Sequence, residues 1–334
     1  MEEVKNLTSK ERVKACVNFT NPDQLPIYYF NRDQQRSDIL RGHYDADPAF
    51  SPDVPGRTEW GFRMTSLDDT FGQPEEGPFE ASLEGAEAYR IPNPHIPERY
   101  QSLRELAERH PDRYLIASLG ISGFGTLTSL RGFTNTLMDL YLDRDAVMKL
   151  FEKVIEFENG VIEEYCNIPG VDAVSFGDDW GSQQNLFINP DDWRAWFKPF
   201  YCKQFEAVHR HGKHVYFHCC GKINAILDDL IEIGADILNL NQPDLLDLDE
   251  MKRYRGRVCF NCPVDHQTVA IRGNAAEIDA YVHRLVDSLA ADAGGYIGHI
   301  EEYHSVGLSE ENYQAICRSF ESVRATAYPA QAST

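Results

Sequence analysis

Short apolar runs alternate along the chain with longer stretches in which apolar residues recur at helical spacing. The runs are Leu25–Phe30, Tyr114–Leu119, Ala173–Phe176, His214–His218, Ile237–Leu240, Val258–Asn261 and Tyr296–Ile300. Among the stretches between them, Asp145–Tyr165, Asp191–His211, Lys222–Gly234 and Ala276–Ala291 read as amphipathic helices, several opened by Asp or Asn and several closed by Gly or Pro. Such strand–helix alternation predicts parallel βα units. The seven candidate strands fall one short of a closed eight-stranded cylinder. The expected fold is therefore a (β/α)8 TIM barrel, with a doubly wound open sheet as the second choice. No G-x-G-x-x-G follows a strand and no G-x-x-x-x-G-K-[ST] occurs, so the nucleotide-binding forms of the open sheet lose their main support.

The regular pattern holds from about residue 101 to 330. Before it, Thr8 and Ser9 can cap a first helix whose buried face carries Val13, Cys16 and Val17. From Gly42 to Pro97 prolines, glycines and carboxylates are dense, with Glu59–Met64 as a short strand candidate. We read residues 1–330 as one barrel domain, in which 1–100 is an N-terminal elaboration that includes the first strand. Ala330–Thr334 read as a frayed tail.

Composition narrows the partners. The 334 residues are 42% hydrophobic and 25% charged, as expected of a folded globular chain. With 53 acidic against 32 basic side chains the formal charge is -21, which repels phosphate backbones and anionic lipid. Nucleic acid and membrane are thus excluded as expected partners. No apolar run approaches bilayer length and the N-terminus is polar, so a cytoplasmic location is expected. The eight cysteines do not form a small disulfide framework; in a reducing compartment they are left for packing or metal binding.

In a parallel βα fold the ligand site lies beyond the carboxyl ends of the strands. There the run His214–His218 continues into Cys219-Cys220-Gly221. Residues i and i+2 of an extended segment share a face, so His218 and Cys220 project together while Cys219 turns away. Imidazole and thiolate suit zinc, and a catalytic site takes a third protein ligand from elsewhere plus an open position. After Tyr296–Ile300, His299, Glu302 and His304 can all supply it, with His304 preferred and Cys262 a further candidate. Asp178 and Asp179 follow Ala173–Phe176 and can position substrate, move a proton or support a metal; capping of the next turn accounts for one of them equally well. Asn239, Asn241, Gln242, Asp265, His266 and Gln267 add polar groups to the same rim.

The stretches FGDDWGSQ (176–183), NPDDWRAWFKPFY (189–201), HGKHVYFHCCGKI (211–223), IGADILNLNQ (233–242), FNCPVDHQ (260–267) and GGYI…HSVGLSEENY (294–313) resemble the uroporphyrinogen decarboxylase superfamily, within it the cobalamin-linked methyltransferase branch. LPIYYF and EWGF extend the likeness loosely into the first half. The resemblance implies a (β/α)8 barrel and a zinc held by the His and second Cys of H-x-C and by a later Cys, activating a nucleophile that exchanges methyl with a corrinoid. His218 and Cys220 fall on the first two ligands and the third falls close to His304, a departure from cysteine. The paired arginines with which the decarboxylase holds its tetrapyrrole are absent from Pro26–Asp33, which is aromatic.

The expected activity is a zinc-dependent methyl transfer between a small donor or acceptor and a cobalamin carried by a separate corrinoid protein. Asp178 and Asp179 are the expected catalytic carboxylates. Gln183 and Gln242 are expected to meet substrate, and Tyr28, Trp180 and Tyr303 to form apolar walls or core. Decarboxylation of a porphyrinogen and a non-catalytic binding barrel are the alternatives.

Overall fold

The computed structural model describes residues 6–65, 72–302 and 307–328. Eight parallel strands are formed by β1 (Ile27–Tyr29), β2 (Ile39–His43), β3 (Tyr114–Ile121), β4 (Val171–Gly177), β5 (His214–Cys219), β6 (Ile237–Leu240), β7 (Cys259–Pro263) and β8 (Tyr296–Ile300). Their order is β1-β8-β7-β6-β5-β4-β3-β2, so strands β2 to β8 lie side by side in sequence order and β1 pairs with the last strand, β8. This is the expected (β/α)8 barrel. The ladder stops at β1 and β2, and side chains help to close the seam between them. Asp38 donates its N–H to the Ile27 carbonyl and accepts the Ile27 N–H on Oδ2, both at 2.9 Å, and Ser37 Oγ accepts the Tyr29 N–H at 3.0 Å.

The seven runs seen in the sequence all form barrel strands; the eighth strand is β2. Its residues, ILRGH, include only two aliphatics, and a 3-10 turn at Gln34–Arg36 replaces the helix that normally precedes a second strand. The first 100 residues therefore carry two barrel strands, and the Gly42–Pro97 shift in composition begins inside one of them. The expected strand Glu59–Met64 lies instead at Arg63–Thr65, paired antiparallel with Gln73–Glu75, because Trp60 and Phe62 are taken into the core. Trp60 meets Phe157 of the long helix Arg144–Asn167 edge to face at 5.0 Å.

The helical stretch 191–211 divides into Pro190–Trp196 and Lys198–His209, since Pro199 has no N–H to give the preceding turn. The stretch 222–234 shortens to a 3-10 turn at Asn224–Ile226 and a helix at Leu227–Glu232. The N-terminal helix α1 (Ser9–Val17) is capped by Thr8 in a reciprocal box with Glu11. It lies across the amino ends of the strands. Cys16 O accepts from Gly295 N just before β8, Lys10 N donates to Asp112 O just before β3, and Arg12 pairs with Asp38 just before β2. That end of the barrel is thereby covered, and the carboxyl ends are left for chemistry. No helix among the described residues is long and apolar enough to cross a membrane.

Candidate metal centre

The turn after β5 packs against the turn after β4. Gly221 takes a φ of 81°, and its backbone lies so close to that of Gly181 that a side chain at either position would strike the other's main chain. Lys222 N donates to Ser182 O at 2.8 Å. This contact explains the glycine of H-x-C-G. It brings Cys220 beside Asp179, whose Oδ1 accepts the Cys220 N–H at 2.6 Å. Cys219 turns away as expected, its buried sulfur accepting the Trp180 N–H at 3.3 Å.

His218 Nε2 stands 3.7 Å from Cys220 Sγ and 3.7 Å from Asp179 Oδ1. One ligand atom from each of Asp179, His218 and Cys220 lies within 4.8 Å of the other two. Hydrogen bonding behind His218 decides which ring nitrogen faces this cluster. Asn239 Nδ2 donates to Asn261 O at 2.6 Å, so Asn239 Oδ1 is the acceptor left for His218 Nδ1, at 2.6 Å. The proton therefore sits on Nδ1 and the Nε2 lone pair points toward Cys220 and Asp179, the arrangement metal-binding imidazoles take. Burial, joined by the charge of Asp179, pushes the Cys220 thiol well above its usual range. A nearby cation reverses that bias and favours thiolate. Nitrogen, sulfur and one carboxylate oxygen make a donor set that fits zinc with a position left open.

The two adjacent aspartates are split. Asp178 is fully buried and accepts from the N–H groups of Phe124 and Gly125, at 2.9 and 2.8 Å, and from the Tyr201 hydroxyl. It caps the helix Gly123–Arg131 and does not face the cluster, and burial raises its pKa well above the carboxylate norm. Trp180 belongs to the core: it stacks on Phe124 at 4.3 Å and donates Nε1–H to the Tyr201 hydroxyl. Gln183 is exposed in the turn between Gly181 and Leu186. Gln242 holds the ligand loop, its Oε1 accepting the Gly221 N–H at 2.7 Å. Glu302 pairs with Arg32 at 2.7 Å, and Cys262 is buried outside the cluster, its thiol pushed up to about 12 by burial. Tyr303 and His304 lie outside the described residues.

A polar chain runs from His218 across the lumen. Asn261 Oδ1 accepts from the Tyr216 hydroxyl and from His299 Nδ1, both at 2.8 Å, while its Nδ2 donates to Ile297 O. His299 Nε2 is 3.2 Å from Glu301 Oε1, and His266 Nε2 is 3.6 Å from Glu301 Oε2. Burial disfavours charge on Glu301, yet His299, with His266 and His218, holds its pKa down to about 2. Tyr28 sits on this chain, its ring edge-on to His299 at 5.3 Å. Sequence reasoning named His299 only as a ligand candidate and missed Glu301, Asn261 and Tyr216. Period-two alternation placed Tyr216 and His218 on one face, which was the available signal for Tyr216.

Fold and site define a (β/α)8 barrel with an imidazole–thiol–carboxylate cluster at its carboxyl rim. The sequence matches the uroporphyrinogen decarboxylase (URO-D) family over residues 70–322, well over half the chain, and the protein belongs to that family. Its fold is shared with a solved methyltransferase from Methanosarcina mazei, with a TM-score of 0.70 at 15% identity, covering 95% of this chain and 99% of that one. A B12-independent methionine synthase from Shewanella sp. W3-18-1 is similar at a TM-score of 0.42 and 15% identity, over 80% of this chain and 73% of that one. No curated protein matches the sequence.

Proposed function

We propose that this protein is a zinc-dependent methyltransferase that exchanges a methyl group between a small substrate and a corrinoid carried by a partner protein. The observation that carries the reading is the convergence of Asp179, His218 and Cys220, with His218 presenting a lone pair on Nε2. Family membership supports it, as does the near-complete overlap in fold with the Methanosarcina methyltransferase. When bound, zinc supplies an open coordination position and the Lewis acidity that activates a thiol or a methoxyl oxygen.

The chain's own residues fix the geometry. Asn239 sets the tautomer of His218, Asp179 ties down the Cys220 backbone, and Gln242 holds Gly221. His304, outside the described residues, remains our candidate for a further ligand. Metal analysis of the purified protein and of Cys220→Ser tests the proposal. Stoichiometric zinc in the wild type and its loss in the variant are expected. Zinc content unchanged by the substitution, or porphyrinogen decarboxylation by metal-free protein, would overturn it.

A further inference from the structure

Beside the metal cluster, the carboxyl rim carries a second group of titratable side chains, centred on Glu301 just after β8. Gln242 Oε1 accepts from Gly221, the neighbour of Cys220, and the preceding residue, Asn241, donates Nδ2–H to Glu301 Oε2 at 3.2 Å. Two consecutive residues after β6 thus tie the ligand loop to this carboxylate. Glu301 also meets two imidazoles: His299 Nε2 is 3.2 Å from Oε1 and His266 Nε2 is 3.6 Å from Oε2.

The partners of His299 fix a proton here. Asn261 Nδ2 donates to Ile297 O, so Asn261 Oδ1 is an acceptor and takes the Nδ1–H of His299 at 2.8 Å. A neutral His299 would then set the Nε2 lone pair against a carboxylate oxygen, so one proton is held between the two groups. Both are sealed, with side chains 1% and 4% exposed, whereas the His266 side chain is 17% exposed at the rim. Of the three, His266 alone can touch a bound molecule. The carboxylate of Glu301 draws the proton of the neutral His266 ring to Nε2, which leaves Nδ1 to take a second one. Asp265 and His299 are the other titratable groups that act on this ring, and burial pushes its pKa below the usual imidazole value, so the resting ring is neutral.

We propose that His266, oriented by Glu301, exchanges the proton that the methyl-bearing atom of the substrate gains or loses. This role rests on the methyl-transfer reading given above. When an acceptor R–XH takes the methyl group, a lone pair on X forms the bond to carbon. The bond from that carbon to the corrinoid's cobalt breaks with its pair left on cobalt, and the X–H proton passes to Nδ1 of His266. In the donor direction each movement is reversed, and the imidazolium protonates the leaving oxygen or sulfur. The substrate class is thereby a thiol, an alcohol or a phenol, or the corresponding thioether or methyl ether. A quaternary ammonium donor leaves as a neutral amine and needs no such residue. Glu301, His299 and Asn241 act through His266 and are positioning residues.

Ring nitrogen NMR of the full chain with labelled histidine gives the first readout, the His266 signal being the one absent from His266→Gln. The neutral ring should carry its proton on Nε2, gain the second below pH 6.5, and gain it at lower pH still in Glu301→Gln. A ring that does not titrate, or a midpoint that Glu301→Gln leaves unchanged or raises, would overturn the proposal. Methyl transfer from methylcobalamin to 2-mercaptoethanol, followed by cobalamin absorbance, gives the second. Wild-type kcat should rise with pH through the His266 midpoint. His266→Gln should lose that step and at least about 100-fold in kcat, with KM within about threefold. A smaller loss, or a pH step that survives the substitution, overturns the proposal and keeps methyl transfer. Coupled titration in protein that takes up no zinc and moves no methyl overturns methyl transfer, and the proton-exchange role with it. Should His266→Gln fail to fold, His266→Asn takes its place in both measurements.

Discussion

Replacing Asn239 by alanine separates the metal site from the stability of the barrel. The substitution removes the acceptor 2.6 Å from His218 Nδ1 and the donor 2.6 Å from Asn261 O. Without the acceptor the imidazole can carry its proton on Nε2, the atom that faces Cys220 and Asp179, and it is free to rotate. Losing the partner of a metal-bound histidine lowers metal affinity about 10–100-fold, or about 1.4–2.8 kcal/mol. Losing the bond to Asn261 costs about 1 kcal/mol of stability, whether or not metal is present. Competition for zinc against a chromophoric chelator reads the first effect, and urea unfolding in excess chelator reads the second. A folded variant whose zinc affinity stays within about twofold of wild type would refute the assignment of His218 Nε2 as a ligand atom.

Three further outcomes follow from other parts of the molecule. Burial raises the pKa of Glu158 from 4.5 to about 7, even though Gly123 N–H and Gln204 donate to it. The folded state thus prefers the protonated acid, so its stabilisation is complete below about pH 4.5 and is lost as pH rises to 7, about 3 kcal/mol in all. Glu158→Gln should flatten that slope in urea titrations between pH 5 and 8, because the unpartnered Gln204 Oε1 can accept from the new amide; an unchanged slope counts against it. Asp38→Ala leaves Arg12 and Arg324 without a carboxylate they share and opens the seam between β1 and β2. A loss of about 3–5 kcal/mol in chemical denaturation is expected. Gly221→Ala, at positive φ and against Gly181, should cost about 1–3 kcal/mol of strain, seen as a lower Tm together with reduced zinc stoichiometry.

Much of the barrel is legible in the chain because buried strands and amphipathic helices carry their period locally. The H-x-C pair was legible for the same reason: alternation along one strand put His218 and Cys220 on one side and Cys219 on the other. Strand β2 was not, since Arg41, Gly42 and His43 give it no apolar run and closure of a seam needs few hydrophobic residues. Asp178 and Asp179 are adjacent in sequence and looked equivalent. They diverge because one carboxylate is drawn to the free N–H groups of the helix Gly123–Arg131 and the other to the Cys220 N–H.

The sequence by itself determined the cylinder and the chemical types gathered at its carboxyl rim, since both follow from spacing within short segments. The tertiary structure alone decided which groups come together: Asp179 with His218 and Cys220, and Glu301 between two histidines. These relations join different strands, and they depend on register, closure and the packing of one turn on another, which no local pattern encodes.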